Sequence, residues 1–177
     1  SSCSKDSEEL LPADYGTYGA DFARELASLY PNRKAYSEDE NQAGLFIKTG
    51  LEALGFEVET QEFTSIYGSV SHNYIVRVSG TGFIHVDEAE SADNIKTSNI
   101  RRTAVIGAHY DSKFAASEVP EGYTYDGISD NASGIGALMT VAAQIKNYTS
   151  NGFDVILVAF GAGNDNYAGA RAFFNSL

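Results

Sequence analysis

Two short apolar runs, residues 103–108 (TAVIGA) and residues 153–160 (FDVILVAF), constrain the fold of this chain more than any other feature. Each is short for a helix and too continuously apolar for a strand with one wet face, so both read as strands buried on two sides. Between them, residues 134–145 carry Leu138, Val141, Ala142 and Ile145 at helical spacing. A strand, a helix and a second strand in succession make the unit of an α/β sheet with helices on both faces. The expected fold class is therefore α/β, a three-layer α/β/α sandwich around a mostly parallel or mixed sheet.

The remaining segments fit that plan. Residues 18–30 place Phe22, Leu26 and Leu29 on one helical face, and Pro31 closes the segment. The sequence Ser37-Glu38-Asp39-Glu40 has the form of a capping box, in which a serine hydroxyl and a glutamate carboxylate satisfy each other's backbone amides. It opens a helix expected to bury Ala43, Phe46, Ile47, Leu51 and Leu54 and to stop at Gly55 in a left-handed conformation. Residues 56–63 alternate as a half-exposed strand, and residues 73–78 follow as another after a turn about Gly68. Residues 79–102, with Gly80-Thr81-Gly82 and an acidic run at 87–93, break the pattern and read as a surface excursion, for which a small hairpin is one form. Residues 167–177 read as a helix running to the last residue. The division expected is a polar tail at 1–16 and one domain over 17–177.

Charge and cysteine content narrow the function. With 12 Lys and Arg against 24 Asp and Glu the net charge is −12, which argues against nucleic acid as a partner, since binding phosphates needs a basic face. No apolar run approaches a transmembrane span. Cys3 is the single cysteine, so no internal disulfide framework forms. Its setting, Ser1-Ser2-Cys3-Ser4, leaves two readings open: the start of a lipoprotein at the cell surface or outside the cell, or an incidental thiol in a polar tail.

The chemistry gathers where the strands end. Ligands of open α/β sheets collect at the carboxyl ends of the strands. The first apolar run leads into His109, Tyr110 and Asp111, the second into residues 161–165, and a loop between them ends at Asp130 just before a helix. In extended chain His109 and Asp111 share a face. A carboxylate there can take the second ring N–H of a histidine and raise its strength as a metal ligand. His109 and Asp130 are thus candidate ligands of a divalent metal, and Asp111 the group that orients His109. Each residue alone also has a plainer reading: His109 as a hydrogen-bonded histidine near the core, Asp111 as a turn residue, Asp130 as a helix N-cap. The sequence has no G-x-S-x-G nucleophile elbow, no complete dinucleotide fingerprint and no P-loop. His72 and His85 stand alone and read as surface or packing residues.

Gly107 to Ser112 (GAHYDS), Ser129 to Gly134 (SDNASG) and Val158 to Ala162 (VAFGA) resemble the co-catalytic di-zinc aminopeptidases, a family that includes glutaminyl cyclases and the glutamate-carboxypeptidase type. The likeness extends back through Asn73-Tyr74-Ile75 and Gly55-Phe56-Glu57-Val58 and matches the N-terminal portion of that family. The resemblance implies a zinc-peptidase architecture of phosphorylase/hydrolase-like type, one or two zinc ions, His109 as a zinc ligand oriented by Asp111, and Asp130 bridging two zincs. It also implies two adjacent glutamates after Phe-Gly-Ala, a general base and then a ligand. Gly163 and Asn164 stand there instead, and Asp165 comes one position late, so Asn164 and Asp165 are the remaining candidate donors. Loss of a general base costs roughly 10²–10⁴-fold in rate. The family's last ligands, an aspartate and a histidine, are expected beyond Leu177, so the domain reads as truncated at its C-terminus. The strand at 153–160 would then need a missing segment or a partner to cover it.

The expected function is a zinc aminopeptidase-like metallo-exopeptidase domain acting on a peptide or peptide-like ligand, impaired by the change at Gly163 and Asn164. Two alternatives stand beside it. One is a non-catalytic binding or structural module on the same scaffold, as in the transferrin-receptor branch of the family. The other is a single-zinc enzyme of the glutaminyl cyclase kind.

Overall fold

The computed structural model describes residues 16–91, 94–146 and 151–177. In chain order the elements are α1 (Thr17–Leu29), α2 (Glu38–Ala53), β1 (Glu59–Thr64), β2 (Val70–Val78), β3 (Phe83–Ser91), β4 (Asn94–Ile100), β5 (Thr103–His109), α3 (Ser133–Ile145), β6 (Asp154–Phe160) and α4 (Ala168–Asn175). The expected tail lies almost wholly outside the described residues, as do Cys3 and the end of the acidic run. Among the described residues no helix is long and apolar enough to cross a membrane.

The main sheet is mixed, with strand order β1-β2-β6-β5. β5 runs parallel to β6, whereas β2 is antiparallel to both β6 and β1. Alternation along β2 and β6 sends side chains to two cores. Tyr74, Val76, Val155, Leu157 and Ala159 meet α1, α2 and α3 through Phe22, Leu26, Ile47, Leu51, Ile135 and Met139. Ile75, Ile156 and Val158 meet Phe173 of α4 on the other face. Helices thus cover both faces, and the three-layer α/β/α class holds.

The two apolar runs have different places in the sheet. Residues 155–159 of β6 are buried without a break, as a central strand requires. β5 is an edge strand, with Val105 36% and Ile106 37% exposed. The expectation that the strand at 103–110 is buried on both faces is therefore corrected. So is the expectation that residues 153–160 lack a covering neighbour: β6 is flanked by β2 and β5, and among the described residues the edge strands are β1 and β5. Apolarity marks both strands, but strand order depends on which pairs form across the sheet, and composition does not encode it.

Smaller corrections have local causes. β1 begins at Glu59 and not at residue 56, because its partner register with β2 starts at Glu59 opposite Ile75. Phe56 and Val58 still pack on the core from outside the strand. β2 starts three residues earlier than expected, at Val70 opposite Thr64. α2 does end against Gly55 at φ 88°, a left-handed conformation that suits glycine. The excursion is a β3–β4 hairpin forming its own sheet. It is tied to the start of β6 by Phe83 stacking edge-on against Phe153 at 5.0 Å and by the amide of Gly80 donating to Asp154. α4 does not reach the last residue: Ser176 closes it, its hydroxyl donating to the Phe173 carbonyl at 2.7 Å.

The capping box forms only in part. The Ser37 hydroxyl accepts from the Glu40 amide at 3.0 Å, as an N-cap should. The Glu40 carboxylate, however, does not return to the Ser37 amide, which donates to the Lys34 carbonyl. It lies fully buried, accepting from the Tyr36 amide at 2.6 Å, the Ser71 hydroxyl at 3.0 Å and the Ala162 amide at 2.7 Å.

Candidate metal centre

β5 delivers His109 at its carboxyl end, and the extended chain carries on to Asp111, which is fully buried. His109 Nδ1 lies 3.2 Å from Asp111 Oδ1 and 3.1 Å from the Asp111 carbonyl oxygen. The other ring nitrogen, Nε2, lies 3.5 Å from Asp130 Oδ1. One imidazole therefore faces a carboxylate on each side, one buried and one partly open to solvent. Burial of the ring pushes its pKa down. The hydrogen bond to Asp111, with the charges of Asp111 and Asp130, outweighs that and leaves it above its ordinary value. For Asp111 burial pushes the carboxyl up, but the His109 ring and the amides of Asn164 and Gly163 prevail and hold it below the usual range.

Asp130 is placed by a loop and not by a helix start. It sits in a π-type turn, Ile128–Ala132, with φ −135° and ψ 82°, and its peptide bond to Asn131 is cis. α3 begins only at Ser133, so the N-cap reading of Asp130 is set aside. The neighbouring Asn131 takes that part, its side-chain oxygen accepting from the Gly134 amide at 3.2 Å. Asp130 Oδ2 instead accepts from the Lys113 amide at 2.8 Å, which turns Oδ1 toward His109.

Arg33, invisible as a site residue in the sequence, holds these two segments together. Its buried guanidinium donates to the carbonyls of Tyr110 at 2.8 Å, Asp126 at 2.7 Å, Gly127 and Tyr30. It thus ties the end of β5 to the loop that carries Asp130. A rigid fork of donors suits this bridging task, whereas a lysine ammonium would reach fewer acceptors in fixed directions. No local pattern in Pro31-Asn32-Arg33-Lys34 announces it.

The loop after β6 lies against the same histidine. All four amides from Gly161 to Asn164 are taken by side chains: Gly161 by Asn73 at 3.1 Å, Ala162 by Glu40 at 2.7 Å, and Gly163 and Asn164 by the two oxygens of Asp111 at 2.6 and 2.9 Å. A Cβ on Gly163 would fall 2.4 Å from His109 Cβ and 2.5 Å from its Cγ. The position where the resemblance expects a general base therefore has no room for a side chain unless the loop shifts. Asn164 donates its side-chain amide toward Asp130 Oδ2 at 3.5 Å. Asp165 is drawn elsewhere, accepting from the Tyr36 hydroxyl at 2.6 Å.

His109 and Asp130 present facing donors at a separation compatible with a shared cation, and Asp111 backs the histidine as an orienting carboxylate does. Two donors are one short of the three protein ligands of a catalytic zinc. Among the described residues no cluster of three or more His, Cys, Asp or Glu is arranged to hold a metal. His109 and Asp130 are two of the donors that such a site would need. His72 and His85 take no part: His72 Nε2 lies 3.6 Å from Glu62, and His85 is exposed on β3.

Comparison with known proteins places this fold. Residues 92–177 match the family model described as Peptidase family M28. The chain is 24% identical over 168 residues to the alkaline phosphatase isozyme conversion protein of Escherichia coli (strain K12), covering 88% of this chain and 45% of that protein. A leucine aminopeptidase precursor from Bacteroides thetaiotaomicron superposes with TM-score 0.56 at 20% identity, over 82% of this chain and 46% of that one. A glutaminyl cyclase from Fimbriiglobus ruber gives TM-score 0.64 at 16% identity, over 91% and 49%. A Zn-dependent exopeptidase from Parabacteroides distasonis gives TM-score 0.58 at 19% identity, over 82% and 46%. At these identities the structures show a shared fold. The chain spans about half the length of each relative, 45% to 49%.

Proposed function

We propose that this chain, which resembles the M28 peptidases in motif and in fold, is a zinc aminopeptidase-like exopeptidase domain that retains metal-site residues and is impaired in hydrolysis. The observation that carries this reading is the pair His109 Nε2 and Asp130 Oδ1, 3.5 Å apart at the carboxyl end of the sheet, with Asp111 behind the ring. In that role His109 and Asp130 would hold zinc, which would supply polarisation of a carbonyl and a lowered pKa of bound water. Asp111 fixes the ring orientation of His109. Peptides or peptide-like molecules are the ligand class.

Impairment follows from three features of the loop after β6. Gly163 has no proton-accepting side chain and lies against His109. Asn164 is a neutral amide, and Asp165 is held by Tyr36. The same features favour a second reading, a binding or structural module that keeps the scaffold without turnover. The glutaminyl cyclase alternative gains nothing over these, since it too needs a carboxylate at the Gly163 or Asn164 position.

Zinc titration by calorimetry on the full-length protein, combined with a panel of aminoacyl-anilide substrates, separates the readings. The proposal expects zinc binding that is lost in His109→Ala, with turnover at least roughly 10²-fold below an enzyme with an intact general base. Zinc binding that survives both His109→Ala and Asp130→Ala would overturn the assigned site. Binding with no turnover at all would favour the module.

A further inference from the structure

Glu40 is a buried ionisable group for which the metal-site reading has no use. It lies on the first turn of α2, fully buried, and its carboxylate joins three separate segments. Oε2 accepts from the Tyr36 amide, while Oε1 accepts from both the Ser71 hydroxyl of β2 and the Ala162 amide of the loop after β6. Ala162 has φ 48°, a left-handed conformation that costs a residue with a Cβ roughly 1–2 kcal/mol. Such a conformation persists only where its surroundings hold it. Ala162 is followed directly by Gly163, which packs on His109.

The groups facing Glu40 do not neutralise it. Tyr74 from β2, and Tyr110 and Asp111 beyond β5, act on its charge. Its own helix contributes Glu38 and Asp39, and the loop contributes Asp165, bonded to Tyr36. These are phenols and acids. His72 lines the same small cavity of about 220 Å³ but is turned toward Glu62. That cavity gives the carboxyl a route for exchanging a proton with solvent.

We propose that Glu40 is a positioning residue that works as a proton-sensitive latch: as a carboxylate it holds the loop at 161–165 closed on His109, and on protonation it releases the Ala162 amide. The chemistry of the donors supports this order of events. The Ser71 hydroxyl can rotate from donor to acceptor and tolerate a proton on Oε1, whereas the Ala162 N–H can only donate, and its bond to a neutral, protonated oxygen is weaker than its bond to a carboxylate. The window lies near neutrality. Burial pushes Glu40 up to about 7, opposed by the amides of Ala162 and Tyr36 and reinforced by the charge of Asp111. Between about 4.3, the ordinary value of the unfolded chain, and about 7 the folded protein carries a proton there that the unfolded chain has lost. The latch is therefore open below about 7 and closed above it.

The test is an NMR titration of the isotopically labelled full-length protein from about pH 5 to about pH 9, following the Glu40 side-chain carboxyl carbon and the Ala162 amide. Both are expected to titrate with a common midpoint near 7, and amide exchange at Ala162 to slow roughly tenfold above it, after correction for base catalysis. In Glu40→Gln the Ala162 midpoint should vanish. A Glu40 carbon titrating in the ordinary acidic range would overturn the proposal, and so would an Ala162 midpoint that persists in the glutamine variant. The carboxyl-carbon measurement uses the unaltered protein, so the result stands even if the variant fails to fold.

Discussion

At the residue scale, the site is decided by a few side chains whose partners lie far along the chain. His109 and Asp111 are legible together, because two residues apart in an extended segment they share a face and reach one another. Asp130 is legible as an acid just before a helix, but its task is not: only the turn at Ile128–Ala132 and the Lys113 amide turn it to His109 and away from the helix. Arg33 and Glu40 are illegible as site residues, since the groups they serve are 77 and 122 positions away. Gly163 is visible in sequence as the position where the resemblance expects a glutamate, and in the structure its lack of a side chain lets the loop rest on the imidazole. Gly163→Ala should therefore destabilise the protein by about 1–3 kcal/mol, the usual cost of overpacking a tight contact. Urea unfolding measures it. An unchanged midpoint would mean that the loop does not close on His109.

At the element scale, the chain's local chemistry predicts which segments are helix and strand, and pairing then sets their bounds and neighbours. The apolar stripe of α3 and the Ser37 cap of α2 are local signals, and both elements form within a residue or so of where those signals put them. β5 and β6 look alike in sequence, and their ranks differ because β6 has β2 and β5 beside it whereas β5 has β6 alone. An edge strand with half-exposed Val105 and Ile106 offers unpaired backbone to other chains. Next to it a cavity of about 510 Å³ reaches from Leu138 and Val141 of α3 to Ala170 of α4. Ile106→Lys should slow aggregation on heating, as a lysine on an edge does, and light scattering during a thermal ramp measures it. Unaltered or faster aggregation would show that this edge is not where chains associate.

At the scale of the whole molecule, a net charge of −12 makes the folded state repel itself. Raising salt from about 0.01 M to about 0.15 M shrinks the screening length from roughly 30 Å to roughly 8 Å. The thermal midpoint should rise, by roughly 2–4 °C for each kcal/mol of repulsion removed. A fall would mean that exposed ion pairs such as Arg101–Asp154 and Lys34–Glu118, which salt weakens, matter more than the overall charge. The sequence by itself determined the α/β class and the order of His109, Asp111 and Asp130 along it, with Gly163 and Asn164 after the last strand, because periodicity and residue chemistry are local properties. Only the tertiary structure decided which strand is the edge, that Arg33 and Glu40 brace the two loops of the site, and that Gly163 seats against His109. Those depend on contacts between segments distant in the chain, and such contacts leave no mark on the residues beside them.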